Sequence, residues 1–376
     1  MNSTSISKLS PRLIARSEPA VITDRQILPA TNLRFALAGI CLGLALVLLP
    51  FPGVSQTAIE PRTNLYGIFD VPADCRAFNA IDALGVGWVR QQWQMGDPRS
   101  MRKLDVLVRS LPMLITRGAG LWLTIYHRDR SNADESGTVG YARAGRGGFP
   151  PVDMSLYQAR LEEAVRSLTG AIQGTGTSPG KWLVIQINNE VVPRDVGGQD
   201  RASRFWHGTS DQYLAILGAA YEAVKRADPN VPVAVGGISS AAMELILDGE
   251  QRVAHWYDHL LREGSFDWAD THLRHRIDDI PAKVAWVQAR WNGPIAATEV
   301  AGPDPRVEPY SERGQAEDLT ARMTIARDSG IDRLFWAGLA ENPHVAEIYR
   351  KEGLIERGTW RSKAAFSAYM QLIGRR

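Results

Sequence analysis

The chain has 376 residues, 44% of them hydrophobic and 22% charged, with 43 Lys and Arg against 41 Asp and Glu. That balance excludes a wholly disordered or fibrous protein and fits one large domain or two medium ones. A formal charge of +2 offers no basic stripe for nucleic acid, and two cysteines, Cys41 and Cys75, exclude a disulfide scaffold.

The first elements in chain order are a basic leader and an apolar run. Residues 1–34 carry Lys8, Arg12, Arg16, Arg25 and Arg34 against Glu18 and Asp24. Phe35–Leu49 is uninterruptedly apolar, and Pro50, Pro52 and Gly53 follow it. A positive flank, a short apolar run and small residues behind it read as an export signal. An uncleaved anchor touching the membrane through residues 35–51 is the alternative, with the basic end in the cytoplasm. Residues 1–56 are therefore set apart as a leader and residues 57–376 as the folded domain, working outside the cytoplasm: periplasmic, extracellular or held at the outer face of an inner membrane. Without the leader, 38 basic and 39 acidic residues remain, so the slight basicity belongs to the targeting segment.

From residue 65 onward, short strand-like runs recur: 65–69, 86–90, 121–126, 182–187, 231–235, 266–272, 294–298 and 331–336. Amphipathic segments lie between them. Ser155–Leu168 places Leu156, Ala159, Leu161, Ala164, Val165 and Leu168 on one face, with Asp153 as N-cap. Segments 211–227, 311–328 and 359–373 also predict helices. Eight strand–helix units predict an α/β fold with parallel pairing, a (β/α)8 TIM barrel. An open doubly wound sheet would usually show a Gly-rich turn after its first strand, whereas Asp70-Val71-Pro72 follows here. The insertion 127–153 is polar, Gly-rich and longer than a plain connection, which makes it either functional or loose.

Barrel chemistry sits at the C-terminal ends of the strands. The second run ends at Arg90, with Trp93 just beyond; the third leads into His127, Arg128 and Asp129. The fourth ends at Asn188-Asn189-Glu190, the sixth at Asp270-Thr271-His272, the seventh at Thr298-Glu299 and the eighth at Trp336. Glu190 and Glu299 each follow a run too apolar for a surface strand, and the fourth and seventh strands face each other across a barrel mouth. A lone Glu there would cap the next helix. A facing pair is what glycosidic bond cleavage needs.

This ordered set resembles clan A of the retaining glycoside hydrolases, the 4/7 superfamily, with families 39 and 5 the nearest in pattern; the likeness spans residues 65–373. It implies hydrolysis of β-linked sugars in an oligo- or polysaccharide, with neither cofactor nor metal. Carried over residue by residue, Glu190 is the acid/base and Glu299 the nucleophile. Asn189 meets the sugar 2-hydroxyl, Arg90 keeps Glu299 ionised, Trp336 floors the subsite and His272 shapes its wall. Trp93 and His127 join as substrate-binding candidates. One position departs: where many members have a Tyr two residues after the sixth-strand His, this chain has Arg274. Retention also sets a spacing, about 5–5.5 Å between the carboxyls, against about 9 Å for inversion.

The eleven Trp, all beyond residue 57, suggest stacking platforms in an extended cleft, hence an endo-acting enzyme on a polymer such as a bacterial exopolysaccharide. A catalytically silent sugar-binding barrel at the cell surface and a transglycosylase are the other readings. His255 and His259 stand four apart without the Glu of a metalloprotease helix, and Gly236-Gly237-Ile238-Ser239-Ser240 lacks the spacing of a nucleophile elbow.

Overall fold

Each of the eight runs becomes a strand in the computed structural model, which describes residues 60–72, 74–136, 147–197, 205–345 and 347–374. The leader and the apolar run lie outside the described residues. The strands are β1 Tyr66–Phe69, β2 Trp88–Met95, β3 Gly120–His127, β4 Leu183–Ile187, β5 Val233–Ala234, β6 Ala269–Asp270, β7 Ile295–Val300 and β8 Arg333–Trp336. Helices among the described residues are α1 Cys75–Leu84, α2 Met101–Ile115, α3 Met154–Gln173, α4 Ser210–Ala227, α5 Ser240–Leu247, α6 Gln251–Glu263, α7 Ile280–Gln288, α8 Glu312–Asp328 and α9 Ala364–Ile373. None of the helices searched is long and apolar enough to cross a membrane.

All strand pairs are parallel, in the order β5-β4-β3-β2-β1-β8-β7-β6. Backbone bonds from Val235 N to Trp268 O and from Ile238 N to Asp270 O join the two ends and close the ring. This is the (β/α)8 barrel the alternating runs predict.

Strand side chains alternate between faces, so every second residue points into the barrel. The lowest inward layer is apolar: Trp88, Trp122, Val184, Ala234, Ala296 and Phe335. The Trp122 and Phe335 rings meet edge to face at 5.5 Å. Gly67 leaves the room they need, since a Cβ there would stand 2.5 Å from the Phe335 ring. Two residues further along β2, β3, β4 and β7 the layer turns polar with Arg90, Thr124, Gln186 and Thr298, joined by Asp270 of β6, all fully buried. The outward-facing residues, such as Leu121, Leu123, Ile185 and Ile187, pack against Leu161, Val165 and Leu168 of α3 and their equivalents on other helices.

Asp153 caps α3 as expected, its carboxylate accepting from Leu156 N at 3.0 Å. The last helix starts later than the periodicity predicts, at Ala364. Residues 354–363 instead form a turn in which Trp360 has φ 58° and Ile355 bridges Ser362. β2 runs past Arg90 to Met95 because its pairing with β3 continues through Gln94–Tyr126 and Met95–His127. Arg90 is therefore mid-strand, and Trp93 lies within the strand rather than beyond its end. The described parts of the 127–153 insertion are pinned to the barrel. Phe149 N bonds His127 O, Val152 N bonds Asn132 O, and the Asn132 side chain pairs with the Asp153 backbone.

The inner plug carries a stability prediction. Trp122→Ala should lower unfolding free energy by about 3–5 kcal/mol, the usual cost of emptying a large aromatic site. The urea midpoint would report it, and Trp122→Phe should recover much of the loss.

Candidate active site

The polar layer is one connected network. Gln186 sits at its centre, accepting through Oε1 from Trp122 Nε1 (3.1 Å), Thr124 Oγ1 (2.6 Å) and Arg90 Nη2 (3.2 Å). Its Nε2 donates to Asp270 Oδ2 at 2.5 Å and to Val235 O at 3.1 Å. Asp270 in turn accepts from Thr298 N and Thr298 Oγ1. Buried polar atoms are costly unless paired, and here each finds a partner on another strand of the barrel.

Arg90 rises from this layer into the site. Its Nη1 donates to Glu299 Oε1 at 2.9 Å and to Thr298 O at 3.3 Å, its Nε to Thr124 Oγ1 at 3.1 Å, and its Nη2 to Asn189 Oδ1 at 2.7 Å. The guanidinium also lies over the Phe69 ring at 4.5 Å. Because Arg90 can only donate, it fixes the Asn189 amide with the oxygen toward itself. Asn189 Nδ2 is then turned to Glu299 Oε1, 3.3 Å away.

Glu190 reaches the mouth from a strained turn. Asn188 and Glu190 have φ 60° and 46°, a left-handed conformation that Asn tolerates but that Glu keeps only when its surroundings demand it. The turn brings a Glu190 oxygen within 2.8 Å of His272 Nδ1. One oxygen from each of Glu190 and Glu299 and a His272 nitrogen all lie within 4.8 Å of one another. Burial opposes a charge on Glu299, but His272, Arg274 and Arg90 outweigh it and hold the carboxyl far below the usual carboxylate range. Desolvation would strip the proton from His272. Glu299, Asp270 and Glu190 instead draw its pKa up to about 10.

Above the carboxylates opens a cavity of about 770 Å³ lined by Phe69, Tyr126, Phe205, Lys103, Tyr349 and Glu352, among others. Glu190, His272 and Glu299 are spaced as a cation site would be. Against a cation, guanidinium groups already donate to both oxygens of Glu299.

The structure brings Arg90, Asn189, Glu190, His272 and Glu299 together, and it does not bring Trp93, His127 or Trp336 to the cavity. Trp93 faces outward, packed in the core between barrel and helices, with Nε1 on Ser100 O. His127 is buried against Tyr157 with Nδ1 on Phe149 O, and burial pushes its pKa down to about 4. Trp336 is fully buried on the outer face of β8, its Nε1 donating to Glu352 O at 2.9 Å. None of the eleven Trp lines the cavity, and Trp88, Trp93, Trp122, Trp182, Trp206, Trp256 and Trp336 are buried in the core.

Two contributors escaped the sequence reading. Gln186 was detectable as the single polar residue of an otherwise apolar run. Glu352, in Arg350-Lys351-Glu352, reads as a solvated charge cluster and carries no signal. Arg274 was noted only as a departure; its Nε donates to Glu299 Oε2 at 3.1 Å.

The fold is shared with solved glycosidase structures. One of two fungal β-1,4-galactanases matches at 16% identity and a TM-score of 0.60, over 82% of this chain and 100% of that one. Xylanase 10B from Thermotoga maritima matches at 13% and 0.54, over 82% and 94%. An exo-β-1,4-mannosidase from Opitutaceae bacterium strain TAV5 matches at 16% and 0.53, over 82% of this chain and 58% of its own. At such identities the likeness is one of fold. No protein-family model matches the sequence, nor does any curated protein.

The site electrostatics predict opposite pH signatures. Glu299 has a lowered folded pKa, so its contribution to stability is present above its unfolded value, near 4.3, and is lost as pH falls below that. His272 has a raised pKa, so its contribution is full below about 6.5 and is lost as pH rises toward 10. The Tm difference between wild type and Glu299→Gln should therefore shrink on acidification below pH 4. That between wild type and His272→Gln should shrink between pH 6.5 and 10. Thermal melts across pH would check both.

Proposed function

We propose that the chain is an exported, retaining hydrolase of β-glycosidic bonds in an oligo- or polysaccharide. The observation that carries this is the close pair of carboxyls, Glu190 and Glu299, facing each other below an open cavity in different electrostatic surroundings. With one oxygen of each carboxyl within 4.8 Å of the other, the pair suits direct attack better than the wider spacing that an intervening water needs. The barrel shared with galactanase, xylanase and mannosidase structures supports the same reading. Export rests on the basic leader and the apolar run alone.

In the first step Glu299 attacks the anomeric carbon as the glycosidic C–O bond breaks, and Glu190 gives the leaving oxygen the proton it shares with His272 Nδ1, 2.8 Å away. Three contacts from Arg90, Asn189 and Arg274 hold the attacking carboxylate in place. In the second step Glu190 takes a proton from water. The water oxygen joins the anomeric carbon and Glu299 leaves, so two inversions yield net retention. His272, bonded to Glu190, orients the acid/base. Asn189 Nδ2 lies beside the nucleophile, where a sugar 2-hydroxyl would approach.

Glu299→Gln should lose at least about 10⁴-fold of activity and Glu190→Gln about 10²–10⁴-fold, while both keep glycan affinity. Proton NMR of the first-formed product of residues 57–376 should show the β-anomer. An α-anomer first would reject the nucleophile assignment, and binding without turnover by the wild type would make this a silent lectin-like barrel.

Cleavage within a polymer, such as a bacterial exopolysaccharide, is the finer part of the proposal. It rests on an open cavity lined by residues contributed from all around the barrel mouth. Mass spectrometry should find a ladder of oligosaccharides early in digestion; single terminal sugars alone would show exo action.

A further inference from the structure

Glu299 is gripped along both edges. Arg90 and Asn189 hold Oε1, and Arg274 Nε holds Oε2 at 3.1 Å. Arg274 is itself anchored: Nη1 donates to both oxygens of Glu352 at 2.6 and 2.8 Å, and its backbone N donates to Ser240 Oγ at 2.7 Å. The segment bearing Glu352 is fixed as well, because Glu352 O accepts from Trp336 Nε1 at 2.9 Å and from Gln315 Nε2 at 2.7 Å.

We propose that Arg274 and Glu352 act as a positioning pair for Glu299, the guanidinium fork spanning the two carboxylates and the Trp336–Gln315 clamp keeping the fork in register. The proposal rests on reading Glu299 as the nucleophile. A planar guanidinium can bridge two carboxylates through separate N–H groups, which an ammonium cannot do in the same geometry. Glu352 has a second effect. A lone guanidinium against Oε2 would draw charge from the nucleophile and blunt its attack. Sharing that cation with a second carboxylate preserves the hold and moderates the withdrawal. Trp336 thereby acquires a role, that of a pin behind the site.

The test uses residues 57–376 with ¹³C-labelled glutamate, the Glu299 Cδ resonance being assigned by its loss in Glu299→Gln. The other charged groups facing Glu299 are Arg90, His272 and Glu190, and all stay unchanged. Two variants are compared with wild type: Arg274→Lys, which keeps the charge without the fork, and Arg274→Met with Glu352→Gln, which removes the pair and leaves the net charge unaltered. In the double variant the Glu299 titration midpoint should rise by about one pH unit or more, because the lost cation is nearer than the lost anion. On a 4-nitrophenyl β-glycoside that the wild type turns over, both variants should lose kcat about 100-fold with KM within about threefold. A double variant that folds, by near-UV circular dichroism, with an unmoved midpoint overturns the proposal. So does a rise in KM at constant kcat, which would make the pair a substrate contact, or full kcat in Arg274→Lys. If neither variant folds, Glu352→Gln alone is read, and unchanged kcat in it likewise overturns the proposal. The midpoint needs no substrate. Should a 2-deoxy-2-fluoroglycoside label a residue other than Glu299, the hydrolytic mechanism fails, while the titration still decides whether the pair holds that carboxyl.

Discussion

One buried charge organises this molecule. Glu299 is 7% exposed and ionised, and an ionised carboxyl that deep is untenable without partners. Arg90 answers it, but Arg90 is itself entirely enclosed, so each of its donors needs an acceptor. Thr124, Gln186 and Asn189 provide them, Gln186 then needs Asp270 and Val235 O for its own amide, and Asp270 needs Thr298. The obligation passes from β2 through β3, β4 and β6 to β7 and back to Glu299. The barrel is the shape that lets such a chain close, since it brings inward residues of many strands to one level.

The layer below makes that network effective. Trp88, Trp122 and Phe335 fill the barrel floor, each buried. In a dry interior each hydrogen bond to a charge is stronger and each omission more costly, so the network is rigid as well as complete. Electrostatic preorganisation of this kind lets two carboxyls a few ångströms apart take different roles. On the mouth side, the strained turn at Asn188 and Glu190 keeps the second carboxyl near the first, with His272 between the two.

Much of the fold was legible because it depends on local patterns. The eight runs carry the apolar and β-branched residues that parallel strands need. The α3 stripe and its Asp153 cap follow helix geometry, and Glu190 and Glu299 stood out as carboxylates ending apolar runs. Arg90 was found for the same reason, although its strand continues past it. Trp93, His127 and Trp336 were misplaced for one shared reason: which face a strand-end residue presents depends on register and on how far pairing extends. β2 continues to Met95, which turns Trp93 outward, and β8 presents Phe335 rather than Trp336 to the interior. The Trp content was ambiguous in the same way, since composition cannot separate a ring that packs a core from one that meets a ligand.

The sequence by itself determined the barrel and the two central carboxylates, because hydrophobic periodicity and the placement of a charge after an apolar run are properties of neighbours in the chain. Tertiary structure decided what surrounds those carboxylates. Arg274 meets Glu299 at a separation of 25 residues and Glu352 at 78, and Gln186 meets Asp270 at 84. Such contacts exist only once the ring of strands has closed. The charge that Glu299 bears, the orientation of Asn189 and the anchoring of Arg274 all follow from that closure, because each depends on groups that no local pattern places side by side.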